Sequence, residues 1–162
     1  MGQEEERLES DIQYRSFLLS NSLRESVEPN FINKSDAYLQ SLVERFVDEQ
    51  RIAGLAIVDN NGKITAVSSS LPKEIADARE VASVSMDADM RNGKFVNLDN
   101  KKMYVYASPL HDSNKSVVGS LVVVQNAGYI DARLSEIWKN NLLRLSAQSL
   151  LVSLAVLLII RW

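Results

Sequence analysis

The stretch from Asn140 to Trp162, NNLLRLSAQSLLVSLAVLLIIRW, grows steadily more apolar along its length and constrains the chain more than any other part. A globular domain has little means of covering so apolar a segment at one end of the chain, where it would lie in water. Between Leu142 and Ile160 there is no acidic residue, and the only strongly polar members, Arg144 and Gln148, come near the start. At about 1.5 Å per residue a helix sets Trp138 and Trp162 roughly 36 Å apart, the hydrocarbon thickness plus part of each interface, where tryptophan prefers to sit. The segment 142–162 therefore reads as a transmembrane helix. A buried core helix would suit the shorter run Leu150 to Ile160, but a chain of this size would have to wrap that helix completely. Lys139 and Arg144 at one end and Arg161 at the other leave the orientation undecided by charge. The expectation is a fragment: a cytoplasmic continuation has been cut away, a first membrane helix preceded Gln3, and Met1-Gly2 come from cloning.

With 162 residues, some of them in a membrane, one soluble domain with a modest core and long helical arms is what the chain can build. A net charge of −3 with no clustered basic stripe excludes a nucleic-acid partner, since phosphates must be neutralised by a Lys/Arg surface. The absence of cysteine removes disulfides, thiolate metal sites and cysteine nucleophiles. The start, MGQEEERLES, lacks the apolar core of a signal peptide, and Glu6 stands where N-myristoylation needs Ser or Thr.

From Glu4 to Glu28 no Gly or Pro intervenes, and Leu8, Ile12, Leu19, Leu23 and Val27 fall within about a 100° arc. This predicts a long amphipathic helix ended by Pro29. Its narrow stripe, with Arg15 and Ser22 beside it, suits packing on one partner element or on a second copy of itself, and a homodimer through this helix is expected. Ser35 caps a second helix whose Leu39, Leu42, Val43, Phe46 and Val47 form a strong apolar face for packing on a sheet. Ile52 to Val58 reads as a central strand covered on both faces, and Asp59-Asn60-Asn61-Gly62 turns the chain into a hairpin partner, Lys63 to Ser68. Pro72 opens a third helix carrying Ile75, Ala78 and Ala82, broken at Arg91-Asn92-Gly93. Strand runs Lys94 to Leu98, Lys102 to Leu110 and Val117 to Gln125 follow, separated by short polar turns, before an exit helix from Tyr129. Hairpin links force an antiparallel sheet, so the fold class is α+β with five strands. The organisation is 1–34 long helix and connector, 35–128 compact α+β core, 129–141 exit helix and 142–162 membrane segment.

This order of elements resembles the extracytoplasmic PAS-like (single Cache) sensor domains of bacterial transmembrane receptors. The resemblance rests on GLAIVDNNGKITAVS (Gly54 to Ser68), on YVYASPL (Tyr104 to Leu110) followed by VVGSLVVVQNAGYID (Val117 to Asp131), and on the exit helix entering a membrane span. It implies a bacterial inner-membrane protein with this domain outside, usually continued by a HAMP linker. The segment Tyr129 to Trp162 also resembles the membrane-proximal part of proteins in which such a sensor precedes a trehalose-phosphate-synthase-type glycosyltransferase instead of a histidine kinase.

A catalytic reading finds no support in the residues. His111, the single histidine, falls in a polar turn and reads as a solvated loop residue. Ser68-Ser69-Ser70 is no G-x-S-x-G, Asp87 and Asp89 precede a turn as capping or solvated acids, and zinc, calcium and nucleotide motifs are missing. No catalytic residue, metal or cofactor is expected. A binding reading rests on strand alternation: Tyr104, Tyr106 and Ser108 share one face, and Met103, Val105 and Ala107 the other. Two tyrosines on one inner face can line a pocket for a small polar ligand, although they serve equally as core aromatics. In Cache-type sensors the ligand lies between this part of the sheet and the preceding helix and loop, which implies Arg79 and Arg91 as partners for an anion. The expected function is signal input by an unidentified small ligand, and the alternative is a ligand-free dimerising ectodomain that positions a membrane-tethered enzyme.

Overall fold

The computed structural model describes residues 2–32, 36–50, 52–71, 76–98, 101–128 and 130. The expected exit helix 129–141 and membrane segment 142–162 lie outside these residues, apart from Ile130. Among the described residues no helix is long and apolar enough to cross a membrane.

Helix α1 (Gly2–Ile32) and helix α2 (Asp36–Gln50) are followed by strands β1 (Gly54–Asp59) and β2 (Ile64–Val67). Helix α3 (Ala76–Ala88) and strands β3 (Asn92–Leu98), β4 (Lys101–His111) and β5 (Val117–Asn126) complete the order. The five strands form one antiparallel sheet in the order β2-β1-β5-β4-β3. The expected α+β class with five antiparallel strands is therefore the one found.

Helix α1 departs from expectation at its end, because it runs through Pro29 to Ile32. A proline inside a helix removes one i→i−4 bond. In the same turn the Asn30 carboxamide donates to the Ser26 carbonyl at 2.8 Å. On the outer surface Asp11 and Arg15 pair at 3.0 Å with the acid on the N-terminal side, the favourable order for an i,i+4 pair. The inner stripe is Ile12, Ser16, Ser20, Leu23 and Val27, each at most 1% exposed. It lies on the domain's own sheet: Leu23 and Val27 pack against Leu55, Leu110, Leu121 and Val123, and Ile12 against Tyr104 and Tyr106. The stripe read as a homodimer seam is thus already occupied within one chain, since a narrow apolar stripe fits a twisted sheet as well as it fits a second helix.

Helix α2 lies beside α1 on the same face, burying Leu39, Leu42 and Val43. It also shields the free edge of β2. The Gln40 carboxamide donates to the Val67 carbonyl at 2.7 Å and accepts from the Val67 N–H at 3.2 Å, standing in for the missing neighbour strand. Helix α3 covers the opposite face, where Ala78, Val81 and Ala82 meet Ala56, Val58, Val105, Ala107, Val122 and Val124. Strands β1 and β5 are buried on both faces, which is why they read as unbroken apolar runs.

Two turns share one design. Asp59 Oδ1 accepts the N–H groups of Asn61 and Lys63, and Asp112 Oδ1 accepts those of Asn114 and Ser116. The residue needing positive φ is Gly62 (77°) in the first turn and Lys115 (62°) in the second. The aspartate supplies the local hydrogen bonds that let a lysine adopt a backbone conformation usually left to glycine.

Candidate functional site

Strand β4 alternates as the sequence requires. Met103, Val105 and Ala107 enter the layer under α3, and Tyr104 and Tyr106 enter the layer under α1. The tyrosines are buried, 4% and 7% exposed, and pack with Ile12, Ala127 and Ile130, with Leu8, Phe17 and Phe95 at the margin. Tyr104 stands opposite Phe95 in the β3–β4 register, with ring centroids 4.7 Å apart, and lies 6.3 Å from Tyr106. Gly93 on the edge strand leaves room for the Tyr104 hydroxyl, which a Cβ at that position would strike. Burial pushes the Tyr104 hydroxyl up to about 12, helped by the neighbouring Tyr106. Burial also raises Tyr106, against the opposing pull of Arg91 and Arg24.

This placement corrects the expected pocket. The two tyrosines do not face α3, because α3 lies on the other side of the sheet, and its layer is filled with small apolar side chains. Strand alternation gives which residues share a face but does not say which helix covers that face. Ser108 is buried on β4 with its hydroxyl lacking a hydrogen-bond partner among the described residues. Arg79 is exposed on α3 and is not brought to the tyrosines. Arg91 is brought there: its guanidinium lies 4.5 Å above the Phe17 ring, and Nη2 donates to Asn21 Oδ1 at 2.9 Å, so it reaches from the α3–β3 connection to α1.

Beside Arg91 the sheet is incomplete. Strand β3 begins at Asn92 opposite Ala107, so β4 has no neighbour on that side from Ser108 to His111. Pro109 has no N–H to leave unpaired, and the His111 N–H donates to Glu28 Oε1 of α1 at 3.1 Å. The gap is bordered by a groove in two parts. One, about 370 Å³, is lined by Arg24, Asp89, Met90, Arg91, Pro109 and His111. The other, about 410 Å³, is lined by Arg24, Glu28, Asp89, His111, Asp112 and Lys115. Arg24 Nε is buried without a hydrogen-bond partner among the described residues and lies 3.6 Å from Glu28 Oε1. A mixed lining of guanidinium, carboxylate and imidazole groups suits a small polar or zwitterionic molecule.

The wall at Asp89 is unusual. Helix α3 ends in a Schellman motif: Met90 N–H donates to the Ser85 carbonyl at 3.1 Å and Asp89 N–H to the Met86 carbonyl at 3.2 Å. Asp89 occupies the left-handed position with φ 48°, where glycine is usual and a side chain costs roughly 1 kcal/mol. Its carboxylate lies 2.7 Å from His111 Nε2. From the sequence alone His111 reads as a solvated turn residue and Asp89 as an acid before a turn. Their pairing spans a sequence separation that no local pattern reveals, and only a left-handed aspartate in place of glycine hints at it. A larger cavity, about 570 Å³, opens by Phe31, Leu39, Asp59 and Asp112, but both of these aspartates are engaged in their own turns.

No protein-family model matches the chain, and no curated protein matches it in sequence. Solved structures do match its fold. The Escherichia coli DcuS sensor domain is 10% identical with a TM-score of 0.62, over 80% of this chain and 98% of that one. The sensory domain of the Campylobacter jejuni chemoreceptor Tlp3 is 13% identical with a TM-score of 0.60, over 78% of this chain and 57% of that one. The ligand-binding domain of the Pseudomonas aeruginosa amino acid chemoreceptor PctC, solved with GABA, is 13% identical with a TM-score of 0.65, over 85% of this chain and 63% of that one. The chain thus spans little more than half of the two chemoreceptor domains and nearly all of the DcuS domain. The fold is the PAS-like fold of bacterial sensor domains, as the resemblance implied. At these identities the likeness carries no correspondence of site residues.

Proposed function

We propose that the chain is the extracytoplasmic signal-input domain of a membrane signal-transduction protein of the bacterial inner membrane. A small ligand shifts the packing of sheet and helices, and the shift passes through the exit helix, 129–141, into the membrane segment, 142–162. A ligand acts in this way only if it binds two arrangements with different affinity. The observation that carries the reading is the likeness of the fold to the DcuS sensor domain, with a TM-score of 0.62 over 98% of that domain. The fold matches put sensor domains, including one described as ligand-binding and solved with GABA, beside this chain. Arg91, with Arg24, is the partner proposed for an anionic group of the ligand, in the groove at the uncovered end of β4. Tyr104, Tyr106 and Ser108 act beneath it, through the packing of α1.

The test is a thermal-unfolding screen of the intact chain in detergent against amino acids, GABA and small carboxylates. A ligand at about a hundred times its Kd adds about 2.7 kcal/mol. The expected result is a saturable rise in Tm that Arg91→Ala removes. A second reading, a ligand-free dimerising ectodomain of a membrane-tethered glycosyltransferase or histidine kinase, draws on the tightly filled layer under α3 and the core packing of both tyrosines. A chain that sediments as a dimer and gains no stability from any compound decides for that reading.

A further inference from the structure

His111 joins three elements that are far apart in sequence. Nε2 is 2.7 Å from Asp89 Oδ1 on the cap of α3, and Nδ1 is 3.7 Å from Glu28 Oε1 on α1. Its backbone N–H holds the same Glu28 oxygen at 3.1 Å. The imidazole is only 25% exposed, and Asp89 keeps a strained left-handed backbone while making this contact. Strain of this kind persists where the surroundings fix it and often marks a functional position. A metal does not account for the cluster. Both ring nitrogens face carboxylates, and among the described residues no group of three or more His, Asp or Glu side chains is set to hold an ion.

We propose that Glu28, His111 and Asp89 form a pH-dependent latch, which ties α1 to the cap of α3 and the end of β4 when the imidazole is protonated and slackens when it is neutral. The imidazolium has two N–H donors and satisfies both carboxylates. Neutral imidazole has one donor and one lone pair, so with Asp89 served by Nε2–H the lone pair of Nδ1 faces the Glu28 carboxylate. Histidine is the side chain that ordinarily changes charge between about pH 5 and 8. The other charged groups around the ring are Arg24 on α1, Arg91 on the α3–β3 connection, and Asp112 and Lys115 on the β4–β5 turn. Arg24, Arg91 and Lys115 offset Glu28, Asp89 and Asp112 in sign, so the two direct contacts are what differ between the two forms of the ring. Arg24, Asp89 and His111 border both parts of the groove, and slackening the latch therefore also widens it. The inference stands on this geometry and does not depend on the sensor reading.

Thermal unfolding of the full chain in detergent, at about pH 5.5 and about pH 8, tests it with His111→Gln, Asp89→Asn and the double variant. At the lower pH each single change is expected to reduce Tm by about 3–6 °C, with the double variant losing no more than the larger single loss, and at the higher pH the losses shrink at least twofold. Equal losses at the two pH values, or additive ones, overturn the latch. Amide exchange of α1 between Arg24 and Glu28 provides a second readout. After correction for the intrinsic pH dependence of exchange, protection in the wild type is expected to fall several-fold on going to pH 8, and in Glu28→Gln to stay constant. Wild-type protection that does not change with pH is equally decisive against it.

Discussion

The two faces of the sheet are built by opposite rules. Under α3 the layer is apolar and made mostly of alanine and valine, with Leu71 and Met103 the larger buried members. Under α1 the layer holds the aromatic residues of β3 and β4, buried serines from the helix, and an uncovered strand end bordered by six charged groups and a histidine. The difference separates two jobs: one face fixes the sheet, and the other holds polar groups whose partners can change. The proposed binding event and the proposed latch both draw on the second face, where the charged groups are gathered.

The largest effect should come from violating the rule of the closed face. Val105→Asn removes packed methyl groups and buries an amide with no partner, and is expected to cost about 3–5 kcal/mol in urea unfolding. A loss below about 1 kcal/mol would mean that water reaches this layer and that the contrast is wrong.

The second test uses the aromatic face. With the Tyr104 hydroxyl raised from 10 to about 12, the unfolded chain gives up that proton first as pH rises. The stabilisation is therefore complete below pH 10 and is lost as pH climbs from 10 towards 12, by about 1–2 kcal/mol after allowance for solvent screening. Tyr104→Phe should lack this alkaline loss when unfolding is followed over that range, and an unchanged profile would place the effect elsewhere. The smallest effect concerns Ser108, whose buried hydroxyl has no partner among the described residues. Ser108→Ala should be neutral or stabilising by up to about 1 kcal/mol. A clear destabilisation would reveal a bound water or ligand as the missing partner.

The closed face was nearly legible in the sequence. Continuous apolar runs announced β1 and β5, and alternation assigned Met103, Val105 and Ala107 to one side and Tyr104 and Tyr106 to the other. Strand bounds shifted by only a few residues, with β3 starting at Asn92, inside the tripeptide read as the break after the third helix. The open face was not legible. The stripe on α1 records that one side is apolar without recording what covers it, so a sheet-packing helix resembled a dimer arm. The family resemblance names Arg91, but Glu28, Asp89 and His111 come together only when α1, the α3 cap and β4 have been placed.

The pairing of β1 with β5, Gly54 opposite Val124, carries a consequence for synthesis. The strand buried on both faces emerges long before its principal neighbour, and at roughly 5–20 residues per second it must wait several seconds for that partner. During that interval α1, α2 and then α3 can cover its faces, while the Gln40 clamp on Val67 closes the outer edge of β2 and the β5-facing edge of β1 stays open. An amide that looks like a minor edge contact in the finished domain therefore leaves the nascent hairpin a single open edge, the one that β5 takes.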